Sequence, residues 1–290
     1  MIVPFPPAGS SDVIARTLST PLGKALGQNV VVDNRPGGGT VIGTEMAARA
    51  PADGYTLLVC LASMTINPAI RSKLPYDTLK DFAAVGRIAT QPYVFVSSAG
   101  AAPSTFMELL SMARARPGEL SAGTSGAGTG QHLVVELLKQ VANVDVVHIP
   151  YQGSAPAVTA LAGGQIGFAV LNHPDVAPHV QSGRVRVLAV TSAARSTALK
   201  GVPTVSESGF PDFAKEGWVG VVTQRAVATS IIAQLNGAIS EVLTQPDVRA
   251  RIEGLGFTVS PSTAVQFEQF FRKEVQLNEA LARRINLRVD

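Results

Sequence analysis

Charge of either sign is scarce in this chain and cysteine is almost absent. Only 16% of the 290 residues are charged, against 46% apolar, a balance that suits a well-buried globular protein and excludes disorder. The 24 Lys and Arg residues outnumber the 21 Asp and Glu residues by three. The arginines are scattered (Arg114, Arg116, Arg184, Arg186, Arg249, Arg251) rather than gathered in a run, which argues against a nucleic-acid-binding stripe. The lone cysteine, Cys60, lies in the apolar run "YTLLVCLAS"; it has no intrachain disulfide partner and reads as a small core residue. No apolar stretch approaches the roughly 18 residues of a membrane span. No repeat or low-complexity tract interrupts the chain, and strand-like sequence follows Met1 at once, so the N-terminus carries no readable address.

What the chain does contain is an alternation of strand and helix signals. "IVPF" reads as a short strand, and "DVIARTLSTPLGKALG" places Ile14, Leu18, Leu22 and Leu26 in an i,i+4 row with Pro21 as a kink. "NVVVD", "YTLLVCL", "YVFVSS", "LSAGT", "VDVVHIPY", "QIGFAVL", "VRVLAVTS" and "WVGVVT" read as further strands. Thr105 and Glu108 have capping-box spacing at a helix start. Beyond the last strand the chain turns helical at 229–244, 246–254 and about 263–285. Short apolar strands alternating with helices predict an α/β fold with a largely parallel sheet, and its length suits one large or two modest domains. The softest boundary is "SSAGAAPST" at 97–105, with a return near 215–223.

Ligands of such folds bind outside the carboxyl ends of the strands. "PFPPAGSSD", residues 4–12, joins the first strand to the first helix and so occupies a binding position. "GTSGAGTGQH", residues 123–132, also joins a strand to a helix; it suits a small anion at a helix N-terminus, a structural turn, or a nucleotide or nucleophile role. Its glycines Gly126, Gly128 and Gly130 break the dinucleotide spacing, no P-loop lysine is present, and the serine-hydrolase elbow lacks its last glycine. In "RPGGGTVIG", residues 35–43, Gly43 reads as a close helix-to-sheet packing point. None of the four histidines pairs at metal-ligand spacing. His148 reads as a core residue, His132 as a cap or pocket residue, and His173 as a ligand contact after a strand. Asp12 and Asp33 read as capping and turn residues. Loops, glycines and hydroxyls without a reactive constellation favour a binder over an enzyme.

Six ordered blocks carry a resemblance: "IVPFPPAGSSDVIAR", "VVDNRPGGGTVIGTEMAARAPADGYTLL", "INPAI…LPYDTLKDF", "IPYQGSAPAVTALAGGQIGF", "VRVLAVTSAARS…GVPTVSESGFP" and "WVGVV". Together they resemble the substrate-binding receptors of tripartite tricarboxylate transport systems, often called Bug-type receptors, over nearly the whole chain. The resemblance implies a type II periplasmic-binding-protein fold, two α/β domains with a central ligand cleft, with crossings near 98–102 and 219–223. The expected domains are 1–99 with 222–290, and 100–221. It also implies export to the periplasm, which the short start fits as a mature form, a small organic carboxylate as ligand, and delivery to membrane transporter subunits. No cofactor, metal, catalysis or nucleic acid is expected, and the chain is expected to act as a monomer.

The family's first-loop motif P-x-P-P-G-G-x-x-D matches Pro4, Pro6, Pro7, Gly9 and Asp12, with Ala8 at the first glycine. The resemblance implies a grip on the ligand carboxylate by backbone groups and bridging water, with Phe5, Pro7, Ala8 and Gly9 at the loop and Ser63 after the third strand. It offers Ser125, Gly126, Thr129 and Gly130 on the second glycine loop, and Tyr151 and Gly153 on the next. Where the family usually carries acidic residues, this chain has Gly167 and Leu171. The expected ligand is therefore a carboxylate with an apolar or aromatic body, contacted by Leu171, Asn172 and His173. Two other readings stay open: a sensor of the same fold feeding a signalling partner, and a nucleotide-dependent α/β enzyme.

Overall fold

The computed structural model describes residues 1–196 and 198–289. The chain divides into two compact units, one of Met1–Thr90 and Trp218 onward, the other of Gln91–Gly217. In chain order the first unit begins with β1 (Ile2–Val3), α1 (Ser10–Leu26), β2 (Asp33–Asn34), α2 (Val41–Ala48), β3 (Leu58–Leu61) and α3 (Ser63–Ile70). A 17-residue strand, β4 (Phe82–Ser98), then carries the chain into the second unit. That unit holds α4 (Phe106–Ala115), β5 (Ser121–Thr124), α5 (Gly130–Ala142), β6 (Val147–Pro150) and α6 (Ser154–Ala162). It ends with β7 (Phe168–Asn172), α7 (His173–Gln181) and β8 (Val185–Val190), and β9 (Glu216–Gln224) carries the chain back. The first unit closes with α8 (Thr229–Thr244), α9 (Pro246–Gly254), β10 (Thr258–Val259) and α10 (Ala264–Arg284).

The units change over inside β4, at Thr90 and Gln91, earlier than the "SSAGAAPST" boundary that loop composition suggests. Strands, not soft linkers, make both crossings. "YVFVSS" is only the second part of β4, which starts at Phe82, and "NVVVD" forms strand only at Asp33–Asn34.

Both units repeat one strand order. In the first, β2 and β3 flank β1 in parallel, and β9 runs antiparallel to β3 with Leu58 opposite Val222 and Leu61 opposite Val219. In the second, β6 and β7 flank β5 in parallel, and β4 runs antiparallel to β7 with Tyr93 opposite Asn172 and Val96 opposite Ala169. In each trio the first strand is central, so its outgoing connection and that of the third strand leave in opposite directions. Such a switch point opens a crevice at the carboxyl ends of the two strands. The loops concerned are residues 4–9 and 62–63 in the first unit, and 125–129 and the β7–α7 junction in the second.

Apolar periodicity builds the platforms beneath these loops. Ile14, Leu18 and Leu22 of α1 are at most 1% exposed and pack with Val3, Val219, Val221, Ile239 and Val242. Each such burial contributes roughly 1.5–3 kcal/mol. In the second unit Val94, Val96, Val158, Leu161, Ala169 and Leu171 form one core cluster. On the opposite face of β7, Phe168 stacks on Phe95, which also packs against Phe106 and Phe213. Thr105 accepts the Glu108 N–H at 3.1 Å, while the Glu108 carboxylate reaches back to Ser104 rather than to Thr105. Cys60 is buried, and burial pushes its thiol pKa well up.

Candidate functional site

In the first unit the loop after β1 ends on an uncapped helix. Gly9 is the N-cap of α1 and no side chain caps it, so the loop sits at the positive end of the helix dipole. Phe5 is half-buried against the core, and its carbonyl accepts Asn34 Nδ2 at 3.1 Å. Pro7 and Ala8 are exposed and Gly9 is half-exposed.

Asp12 does not cap α1. Its Oδ2 accepts the Ala8 N–H and Arg16 Nε, each at 2.9 Å, and its Oδ1 accepts Asn34 Nδ2 at 2.9 Å. Burial works to raise its carboxyl pKa, but the hydrogen bonds from Arg16, Ala8 and Asn34 outweigh it and hold the pKa below the ordinary range. The one acidic group in this helix start is thus tied back by its own partners.

Ser63 opens α3 and is 3% exposed. It accepts the Thr40 hydroxyl at 3.1 Å. The orientation of the neighbouring Asn67 amide is set from Arg71, a donor that cannot accept. Arg71 Nε donates to Asn67 Oδ1 at 3.1 Å, which turns Asn67 Nδ2 toward the Gly39 carbonyl at 3.0 Å and Thr40 Oγ1 at 3.4 Å. Thr40 thus receives Asn67 Nδ2 and lies in hydrogen-bond contact with Ser63. Gly37, Gly38, Gly39 and Thr40 all have positive φ; the backbone at Thr40 is left-handed, and Asn67 and Arg71 hold the preceding turn. Gly43 lies where a side chain would meet Pro4 and the Arg35 carbonyl, the close approach expected of it.

In the second unit the glycine loop after β5 organises itself. Thr129 caps α5, accepting the His132 N–H at 3.4 Å and donating its hydroxyl to the Gly126 carbonyl at 2.7 Å. Its side chain shapes the loop. Gly126 takes φ 146° and its N–H donates to Thr124 Oγ1 at 3.3 Å. Gly130 lies against Tyr93, whose hydroxyl and ring leave no room for a Cβ. Tyr151 is half-buried beside the second core and donates its N–H to the Thr124 carbonyl at 3.0 Å. Gly153 has φ 103° and donates to the Ser125 carbonyl at 3.1 Å. The loop after β6 is thereby sewn to the loop after β5.

Ser125 and Asn172 are joined through a residue that motif reading passed over. Ser125 Oγ donates to Gln131 Oε1 at 3.1 Å, Gln131 Nε2 donates to Asn172 Oδ1 at 2.9 Å, and Asn172 Nδ2 donates to Asp175 Oδ2 at 2.9 Å. Ser154 Oγ also donates to Asp175, at 2.6 Å. Asn172 is the N-cap position of α7 and Asp175 lies three residues on, an Asn-x-x-Asp spacing that marks a helix start in sequence. His173 is buried at the first position of α7.

Leu171 does not belong with these residues. It is fully buried, opposite Val94 in the β4–β7 register, and faces the apolar core of the second unit. The strand alternates faces, and the expected ligand contact at Leu171 is a packing contact.

His132 and His148 stack with ring centroids 3.9 Å apart and planes 12° from parallel. His132 Nδ1 accepts the Gly128 N–H at 3.2 Å, and His148 Nε2 lies 2.7 Å from Thr124 Oγ1. Burial first, then His148 and Lys139, lower the His132 pKa to about 3. Burial and Lys139 lower that of His148 to about 4. Both rings are neutral supports of the glycine loop; His148 is a half-buried edge-strand residue, not a core one. Among the described residues no group of three or more His, Cys, Asp or Glu is placed to hold a metal, and no helix is long and apolar enough to cross a membrane.

Residues 14–287 match the family described as "Tripartite tricarboxylate transporter family receptor". The chain belongs to that family. Protein BugT of Bordetella pertussis is 38% identical to this receptor over 278 residues, which cover 95% of this chain and 85% of BugT. The structure of R. palustris Rpa4515 with adipate superposes with a TM-score of 0.94 at 30% identity, covering 99% of this chain and 97% of that one. MatC from Rhodopseudomonas palustris with bound malate gives 0.91 at 28% identity, covering 97% of each chain. The receptor has the type II periplasmic-binding-protein fold, and it is a solute-binding protein of a transport system rather than an enzyme.

Proposed function

We propose that this receptor captures a small organic carboxylate in the periplasm and delivers it to the membrane subunits of a tripartite tricarboxylate-type transporter. The observation that carries this reading is the start of α1. A glycine N-cap without a side-chain cap puts the positive end of α1 at this loop, while Asp12, the acidic residue of the first turn, is paired with Arg16 and hydrogen-bonded by Asn34 and Ala8. Two related receptors hold the dicarboxylates adipate and malate, which supports the same ligand chemistry here. Leu171 contributes nothing to a ligand's apolar body, so aromatic acids have no special claim.

A thermal-shift panel of mono-, di- and tricarboxylates tests the proposal. A true ligand at about 100 times its Kd stabilises the fold by roughly 2.7 kcal/mol. A flat response across the panel overturns the carboxylate reading.

A further inference from the structure

We infer that Asp175 fixes the direction of the hydrogen-bond relay ending on Ser125, making Ser125 an acceptor, so that this receptor selects carboxylates that also carry a hydroxyl or ammonium donor. The inference rests on the carboxylate reading above and narrows it.

The direction follows from what each group is able to do. A carboxylate accepts hydrogen bonds and has none to give. Asp175 Oδ2 takes one from Ser154 at 2.6 Å and one from Asn172 at 2.9 Å, so Asn172 must turn its Nδ2 toward Asp175. Its Oδ1 then faces Gln131, and an amide oxygen only accepts. Gln131 must present Nε2 to it, at 2.9 Å, which leaves Gln131 Oε1 for Ser125. Ser125 has a single proton, and it is given to Gln131 at 3.1 Å. What Ser125 retains is its lone pairs.

The amides in the middle have no freedom to reverse this. Gln131 is 4% exposed and Asn172 is 6% exposed, and inverting either one would set two donors or two acceptors face to face. An unmatched buried polar contact loses its hydrogen bond to water without gaining another. Ser125, 7% exposed, therefore repels a carboxylate oxygen and welcomes an O–H or N–H. An acid bearing an O–H or N–H donor matches Ser125, whereas a plain acid leaves it unmatched.

Calorimetric Kd values for matched acids that differ by one hydroxyl test this: lactate against propionate, malate against succinate, citrate against tricarballylate. In whichever pair binds, the hydroxylated acid should bind about tenfold tighter or more, the scale of one well-made hydrogen bond in a dry site. Gln131→Met frees the Ser125 proton, and the preference should fall to about twofold or less on the same scale; Ser125→Ala should do the same by removing the acceptor. A merely structural role for Gln131 would weaken both acids of a pair alike. Equal affinities in the native receptor, or an undiminished preference in a folded Gln131→Met or Ser125→Ala protein, overturn the inference while carboxylate binding stands. If no acid on the panel binds, the carboxylate reading fails and takes this inference with it.

Discussion

Ala8 donates its backbone N–H to Asp12 Oδ2 at 2.9 Å while holding φ at 68°. The family's loop motif has glycine at this place, and the angle explains why: an L-residue with a side chain pays about 1–2 kcal/mol in the left-handed region, glycine almost nothing. The hydrogen bond to a carboxylate fixed by Arg16 and Asn34 holds Ala8 where sterics disfavour it. The strain lies in the loop that enters α1.

Ala8→Gly should accordingly raise stability. Glycine removes the left-handed penalty but adds roughly 0.4–1 kcal/mol of unfolded-chain freedom, leaving a net gain of about 0.5–1 kcal/mol. Urea denaturation would show it as a higher midpoint at unchanged m-value. A midpoint at or below that of the native chain would mean that Ala8 is not strained in the folded state.

Gly130→Ala should do the reverse, although residue 130 has ordinary helical φ. A Cβ there falls on the Tyr93 hydroxyl and ring, and both belong to rigid elements, the start of α5 and β4. Forcing a methyl into such a contact costs typically 1–3 kcal/mol. Tyr93→Phe in the same chain should recover only part of the loss, because the ring carbon that bears the hydroxyl is also too close. Full recovery in thermal unfolding would place the whole clash on the oxygen.

The fold was legible because its apolar periods are regular. The Ile14–Leu18–Leu22 row, the short buried strands and the three C-terminal helices follow from spacing alone. The order of strands in each unit was not, since pairing depends on long-range register. The candidate loops were legible as glycine-rich connections after strands. Polar partners across loops were harder: Asn172 and Asp175 have helix-start spacing, but Gln131 carries no motif, and the three meet only because folding brings the start of α5 beside the β7–α7 junction. Leu171 misled for a simpler reason. Its motif position suggested the site, but strand alternation turns it into the core.

The stacked histidines give stability a dependence on acid. Their folded pKa values, about 3 for His132 and about 4 for His148, lie below the ordinary value near 6.5. Between these limits the unfolded chain binds protons that the folded chain refuses, so stability rises with pH there and is level above it. Falling from pH 6.5 to about 4, the pair should cost on the order of a few kcal/mol. Glu136, 3.9 Å from His132 Nε2, softens that loss by favouring the charged ring, and Lys139 opposes it. Protonating His132 Nδ1 also removes the acceptor of the Gly128 N–H, so the glycine loop loosens in the same window. Urea midpoints measured from pH 7.5 to 4 should fall less in His148→Phe, which keeps a flat ring against His132 and never charges. An identical slope in that variant would assign the acid sensitivity elsewhere.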